Sequence, residues 1–299
     1  MITTNDTVLI TGCGGMLGEG VYKRFKDHVK VFATDIDLNE PWLTHLDVRD
    51  ATEVEKRLDE IRPDYIVHLA ALTDMEYCET HPEDAQATNA DAVAHFAPYV
   101  EKNATPFAYI CTAGIFDGEK EVYQEDDIPN PLSVYGKTKY SGELNAKKYQ
   151  KHVVARAGWM MGGGPTKDKK FINKLIKQVK GGAKELFVVD DKLGTPCYTY
   201  DLANILYTLL DKGHHGVFHG VCEGGGSRAE IARFLLQCLG REDVKITEVA
   251  SDYFKTTYFA PRPRSEKMIN KHLHDLGLNL TRDWHDAVED YARTFDWGV

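Results

Sequence analysis

Short apolar runs alternate with amphipathic stretches through the first half of the chain. VLITG (8–12), VKVFATD (29–35), YIVHLAAL (65–72), PFAYICTAGIF (106–116) and HVVARAGWM (152–160) are largely continuous in apolar character. Such runs predict strands covered on both faces. Between them GEGVYKRFKD, VEKRLDEIRP and PEDAQATNADAVAHFAPYVEKN predict helices, and the proline closing the second stops it. A further helix carries VYGKTKYSGE (134–143). This repeated strand–helix rhythm predicts an α/β fold, a Rossmann-like doubly wound parallel sheet.

The rhythm changes after residue 160. MGGGPTKDKK reads as a glycine- and lysine-rich loop. FINKLIKQVKGG predicts a helix, ELFVVD a short strand, and VKITEVA another. SRAEIARFLLQCLG opens with a capping box, Ser227 to Glu230, and predicts a helix. WHDAVEDYARTF closes the chain as a helix. Residues 1–160 are read as the sheet domain, joined by returning segments from the second half. Residues 161–299 are read as a smaller C-terminal lobe built onto it, with no repeat or flexible linker between.

Composition narrows the function. The chain has 299 residues, 42% hydrophobic and 27% charged, with a formal net charge of −10. That balance argues against a nucleic-acid partner, which needs a basic surface. No apolar run reaches ~18 residues, so no membrane span is expected. The start, MITTNDTVLITG, lacks a basic n-region, so no signal peptide is expected. Six cysteines stand singly with no C-x-x-C pair. Reduced thiols in a cytoplasmic protein are the simplest reading, and no metal site is expected.

The first strand runs into GCGGMLG, with Gly12, Gly15 and Gly18 separated by two residues each. A glycine loop between a strand and a helix lets the backbone approach a pyrophosphate, and the helix N-terminus offers free N–H groups. Gly12, Gly15, Met16, Leu17 and Gly18 are therefore candidate cofactor contacts. Asp35 ends the second strand, 23 residues after Gly12, where an acid accepts hydrogen bonds from the adenosine ribose. Asp37 adds a negative charge and no cation directly follows the strand. A 2′-phosphate would be repelled, so NAD(H) is favoured, with NADP(H) the alternative. Asp47 and Val48, in LDVRD, are candidates for the adenine edge; a plain strand-to-helix turn is the other reading.

Tyr135 and Lys139 stand four residues apart, one turn apart on one helix face. A free tyrosine, with a pKa near ~10, is a poor proton donor at neutral pH. A nearby ammonium stabilises tyrosinate and is expected to lower that value. Thr112, at an expected strand end 23 residues earlier, can hold the oxygen that is protonated. Together with the glycine loop these residues predict catalysis, with Thr112, Tyr135 and Lys139 as its members.

These motifs resemble the extended short-chain dehydrogenases/reductases, and within them the dTDP-4-dehydrorhamnose reductases. The resemblance runs nearly end to end. AALTDMEYCETHPEDAQATNA (70–90) is similar to the family's stretch flanking the nicotinamide ribose, implying Ala70 and Ala71 at the cofactor and Thr73 at the substrate. RAGWMMG (156–162) keeps an Arg, Trp and Gly, implying that Trp159 lies along the sugar. DDKLGTPCYTYDLA (190–203) resembles the D-x-x-G-x-P-T-x-x-x-D-L-A signature, and APRPRSEKMI (260–269) an R-P-x-x-S-x-L segment in which Arg262 would meet a diphosphate or pair with the acidic surface. The lobe is then the substrate-binding part. The implied reaction is NAD(P)H-dependent reduction of the 4-keto group of a nucleotide-linked 6-deoxyhexose, of the dTDP-L-rhamnose type. The implied partner is the nucleotide-sugar substrate, and a homodimer is compatible with the reading.

Two departures bear on specificity. CTAGIFDG stands where such reductases read S-T-D-Y-V-F-D-G, leaving Ala113 and Gly114 in place of an Asp and a Tyr that touch substrate. These small residues are expected to open the sugar pocket. Glu266 stands at the usual serine, which is expected to alter the nucleotide end. Ala113 and Gly114 also lack the acid and base of a sugar 4,6-dehydratase. Another 4-ketoreductase or epimerase, or a non-catalytic regulatory subunit of the methionine adenosyltransferase type, are the alternatives.

Overall fold

Five of the apolar runs do become strands of one sheet. In the computed structural model, which describes residues 1–278 and 280–299, seven strands form it: β1 (Thr7–Thr11), β2 (Lys30–Asp35), β3 (Thr44–His45), β4 (Tyr65–His68), β5 (Phe107–Thr112), β6 (His152–Ala157) and β7 (Gly216–His219). Their order is β7-β6-β5-β4-β1-β2-β3 and every neighbouring pair is parallel. The order reverses beside β1, so β1 and β4 part at their C-terminal ends and leave a crevice there. Val8, Leu9 and Ile10 of β1 are fully buried. Both faces are covered, which is why these strands read as unbroken apolar runs.

The predicted strands end earlier than their apolar runs. YIVHLAAL leaves the sheet after His68, because the chain must pass the glycine loop: a Cβ on Gly12 would stand 2.4 Å from the Ala70 nitrogen. PFAYICTAGIF ends at Thr112 and turns through a single 3₁₀ turn, Ala113–Ile115. HVVARAGWM breaks at Gly158, and Trp159–Met161 pairs instead with Pro196–Tyr198. The long helix expected over 82–103 is interrupted by a π-helical turn, Ala87–Asp91.

Several elements were not expected. The helix Thr199–Lys212 packs against Met16–Phe25, and β7 extends the sheet beyond β6. The signal for the helix was present, since Leu202, Ile205, Leu206, Leu209 and Leu210 repeat at helical spacing and are buried.

Two apolar clusters result. The larger fills both sides of the seven-stranded sheet. The smaller joins the helices Phe171–Lys180, Arg228–Cys238 and Trp284–Thr294 to the strand Glu185–Val189, with Leu175, Leu186, Leu235 and Tyr291 buried in it. The capping box is formed as expected, Ser227 receiving the Glu230 N–H and Glu230 the Ser227 N–H. A four-stranded sheet runs beside the cleft in the order Gly226–Ser227, Leu193–Gly194, Ser265–Met268, Val122–Tyr123.

Candidate active site

The glycine loop starts where β1 ends. Gly12 has φ +67°, a conformation open to glycine at little cost. A Cβ on Gly18 would come within 2.0 Å of the Cys13 carbonyl oxygen, so Gly18 packs the helix onto the loop and does not line the cleft. Gly15 caps the ten-residue helix Met16–Phe25 without any side-chain hydrogen bond. Its first-turn N–H groups are thus left to a ligand. A Cβ on Gly15 would meet only the Gly12 carbonyl oxygen, at 3.5 Å, so the approach is open. These features fit a pyrophosphate.

Asp35 closes this loop onto β2. Its Oδ2 accepts the Gly14 N–H at 2.8 Å and its Oδ1 the Asp37 N–H at 3.1 Å. Asp47 is held by Arg49, Nη2 to Oδ2 at 2.6 Å, and that hydrogen bonding holds its carboxyl below the usual range. Val48 is buried at the same edge. Asp35, Asp47, Val48, Ala70 and Ala71 all face one cleft with Gly12, Gly15, Met16 and Leu17.

That cleft, of about 1460 Å³, continues past the sheet to Thr73, Thr112, Tyr135, Lys139, Trp159, Arg228, Arg262 and Glu266. A single small-ligand site occupies ~300–1,000 Å³, so two ligands end to end suit it better than one.

Tyr135 and Lys139 belong to the helix Val134–Ala146, whose sequence has little amphipathic character because it is enclosed on several sides. Ser133 caps it by accepting the Gly136 N–H, and Glu79 accepts the Val134 N–H at 2.7 Å. Its two glycines are contact points. A Cβ on Gly136 would lie 2.3 Å from the Gly114 carbonyl oxygen, and one on Gly142 2.1 Å from that of Asn89. Each glycine costs about 1 kcal/mol against alanine in a helix, offset here by close packing. Buried Glu143 grips Arg156 of β6 through two hydrogen bonds, 3.0 and 2.7 Å, fixing the helix to the sheet. Arg156 is therefore a structural partner.

The electrostatics correct one expectation. Burial raises the Tyr135 phenol well above its ordinary value; a hydrogen bond with Thr112 pulls it back, and the charge of Glu266 adds to the rise. Lys139 does not counter this. Burial takes its own pKa down to about 8, and its ammonium lies 4.2 Å from the Tyr109 ring centroid. In the unliganded protein the phenol keeps its proton, which is the form that can donate one. Thr112 Oγ1 also accepts the Gly114 N–H at 3.1 Å, which fixes its rotamer.

The end of the cleft beyond Tyr135 differs from expectation. Ala113 and Gly114 are buried and do not line the cleft. A Cβ on Gly114 would stand 3.5 Å from Thr112 Oγ1 and 3.7 Å from Glu266 Oε1, so the glycine leaves room between two residues that do line it. Glu266 lies between Trp159 and Gly114: its Oε2 accepts the Trp159 Nε1–H at 2.7 Å, and its Oε1 is 3.7 Å from where a Gly114 Cβ would stand. Trp159 lies flat against Gly194, where a Cβ would come within 2.1 Å of the indole. Arg228, which sequence reasoning missed, sits 4.2 Å from the Trp159 ring centroid and 5.0 Å from that of Phe171. Burial lowers its pKa, and Glu266 opposes that. Arg262 pairs with Glu76 at 2.8 Å, the acidic-surface reading. Two lysines of PTKDKK are tied to the cleft. Lys167 pairs with Glu40 at 2.7 Å, and Lys170 donates to the Thr73 carbonyl at 2.9 Å and hydroxyl at 3.1 Å.

Comparison with known proteins agrees with this geometry. Residues 6–296 match the family described as RmlD substrate binding domain. A dTDP-4-dehydrorhamnose reductase of Mycolicibacterium smegmatis is 28% identical over 290 residues, covering 95% of this chain and 84% of that protein. The crystal structure of a dTDP-4-dehydrorhamnose reductase from Clostridium acetobutylicum is 32% identical, with a TM-score of 0.87 over 95% of this chain and 98% of the other. A Bacillus anthracis dTDP-4-dehydrorhamnose reductase solved with NADP is 26% identical, with a TM-score of 0.89 over 97% and 100%.

Proposed function

This chain belongs to the RmlD substrate binding domain family, and we propose that it works as an NAD(P)H-dependent reductase of the 4-keto group of a nucleotide-linked 6-deoxyhexose, of the dTDP-4-dehydrorhamnose reductase kind. The observation that carries this reading is the meeting of Tyr135, Lys139 and Thr112 on one wall of the cleft that the glycine loop opens. Residues 161–299 contribute the substrate side of that cleft.

When bound, the reduced nicotinamide supplies the hydride. Tyr135 gives its proton to the C4 oxygen, and Thr112 donates a second hydrogen bond to the same atom. Lys139 holds the nicotinamide ribose. Gly12, Gly15, Met16 and Leu17 hold the pyrophosphate from the helix N-terminus. Trp159 lies along the sugar.

NADH is the preferred cofactor in this proposal. Asp35 and Asp37 face the ribose, while Arg49 is bound to Asp47 and Lys167 to Glu40, so among the described residues no unpaired cation at this edge stands ready for a 2′-phosphate. Six cysteines without disulfide partners support a cytoplasmic location.

The test is oxidation of added NADH and NADPH with a dTDP-linked 4-keto-6-deoxy sugar. Turnover with accumulation of the 4-hydroxy product supports the reading. Tight cofactor binding with no oxidation across a panel of 4-keto nucleotide sugars would move it to a non-catalytic subunit.

A further inference from the structure

The sugar end of the cleft holds one carboxylate whose surroundings ask for a ligand. Glu266 enters on the strand Ser265–Met268, in register opposite Gly194. Gly194 is the residue against which the Trp159 indole lies. The register therefore sets the carboxylate at the indole's edge, and Oε2 takes the indole N–H. This anchors the side chain and leaves Oε1 without a hydrogen-bond donor from the described residues. Oε1 lies on the cleft side, near the same point beside Gly114 that Thr112 Oγ1 approaches at 3.5 Å. The two oxygens flank one small volume next to Tyr135.

We propose that Glu266 is the specificity-determining residue of the sugar subsite, its Oε1 accepting a hydrogen bond from a ring hydroxyl of the sugar whose carbonyl sits between Tyr135 and Thr112. This rests on the reductase reading above. Ala113 and Gly114 carry no polar side-chain atom, so the neighbouring loop offers no competing acceptor. The donor is a neutral hydroxyl because Arg228, over the Trp159 ring, already acts on Glu266 as a nearby positive charge. An ammonium on the sugar would be repelled by that guanidinium.

The experiment pairs enzyme variants with substrate analogues. Steady-state kcat/KM is measured for the unmodified protein, Glu266→Gln and Glu266→Ala, on the 4-keto-6-deoxy nucleotide sugar and on its 2-deoxy and 3-deoxy analogues. Cofactor titration and thermal unfolding of each variant establish that it is folded. A hydrogen bond to a charged acceptor corresponds to roughly 10- to 100-fold in kcat/KM. The expected result is that loss for Glu266→Ala on the full substrate, and little loss on the one analogue that lacks the bonded hydroxyl. Glu266→Gln should lose in the same pattern, since its single carbonyl oxygen is taken by Trp159 and its amide then faces the hydroxyl. A residue that merely holds Trp159 would lower all three substrates alike, and equal losses would overturn the proposal. Preference of the unmodified protein for a 2- or 3-amino sugar over the hydroxy sugar would also overturn it. Failure of the unmodified protein to reduce any 4-keto nucleotide sugar would instead count against the reductase reading.

Discussion

The two ends of the cleft are built in opposite ways. The cofactor end of the proposed reading comes mostly from one run of chain, residues 12–49, with Ala70 and Ala71 beside it, and offers its ligand backbone N–H groups, one carboxylate and a helix terminus. The sugar end draws Thr112, Tyr135, Trp159, Arg228 and Glu266 from five separate segments. The first end serves a ligand of constant shape, so a local strand–turn–helix suffices. The second must fit one sugar among many, and side chains from independent segments can be varied one at a time. The helix Val134–Ala146 joins the ends, and the proposed reading assigns its Lys139 to the cofactor and its Tyr135 to the sugar.

If that helix is the shared scaffold, damage to its anchor should harm both ends. Glu143→Ala leaves buried Arg156 without its carboxylate, and removing one partner of a buried pair costs about 3–5 kcal/mol. Chemical denaturation should show that loss, and cofactor affinity and turnover should fall together. Unchanged stability would separate the helix from the sheet.

Tyr135→Phe should separate the ends. It removes the proton donor and keeps the ring, so turnover should fall by about 10²-fold or more while cofactor binding survives. Single-turnover cofactor oxidation beside a cofactor titration reads both. Unmodified turnover would leave VYGKTKYSGE a helix face and nothing more.

Asp35→Ala probes the other end. It deletes the acceptor at the ribose and should weaken NADH by roughly 10- to 100-fold. NADPH should lose less, and KM for the sugar should hold. Tighter NADPH than NADH binding by the unmodified protein would reverse the cofactor preference.

The smallest effect is a pH limb. Burial has brought Lys139 down to about 8, so its ammonium is present below that pH and lost as pH rises through it. The proton on Tyr135 persists further, its value having been raised. The kcat/KM profile should therefore decline on the alkaline side near pH 8, by about tenfold per unit. Lys139→Met should abolish that limb at a lower overall rate.

The sequence by itself determined the parallel sheet, the glycine loop, Asp35 and the Tyr135–Lys139 pair. Each is a short-range pattern: apolar runs, a turn that needs glycine, and two side chains one helical turn apart. Tertiary structure alone decided where those runs stop being strands, since Ala70 yields to the close approach of Gly12 and the chain turns after Thr112. It also decided that Ala113 and Gly114 leave the cleft wall, and that Lys167 and Lys170 tie across the cleft. Glu266 reads in sequence only as an odd residue in a C-terminal segment. Its position against Trp159 depends on the register of Ser265–Met268 with Leu193–Gly194, a pairing across more than seventy residues. Arg228 carries no local signal beyond the start of a capped helix, and it meets Trp159 only because that helix packs against the strand Glu185–Val189 and the helix Trp284–Thr294. Local patterns are set by bonds between near neighbours, whereas these contacts exist only once distant segments have packed.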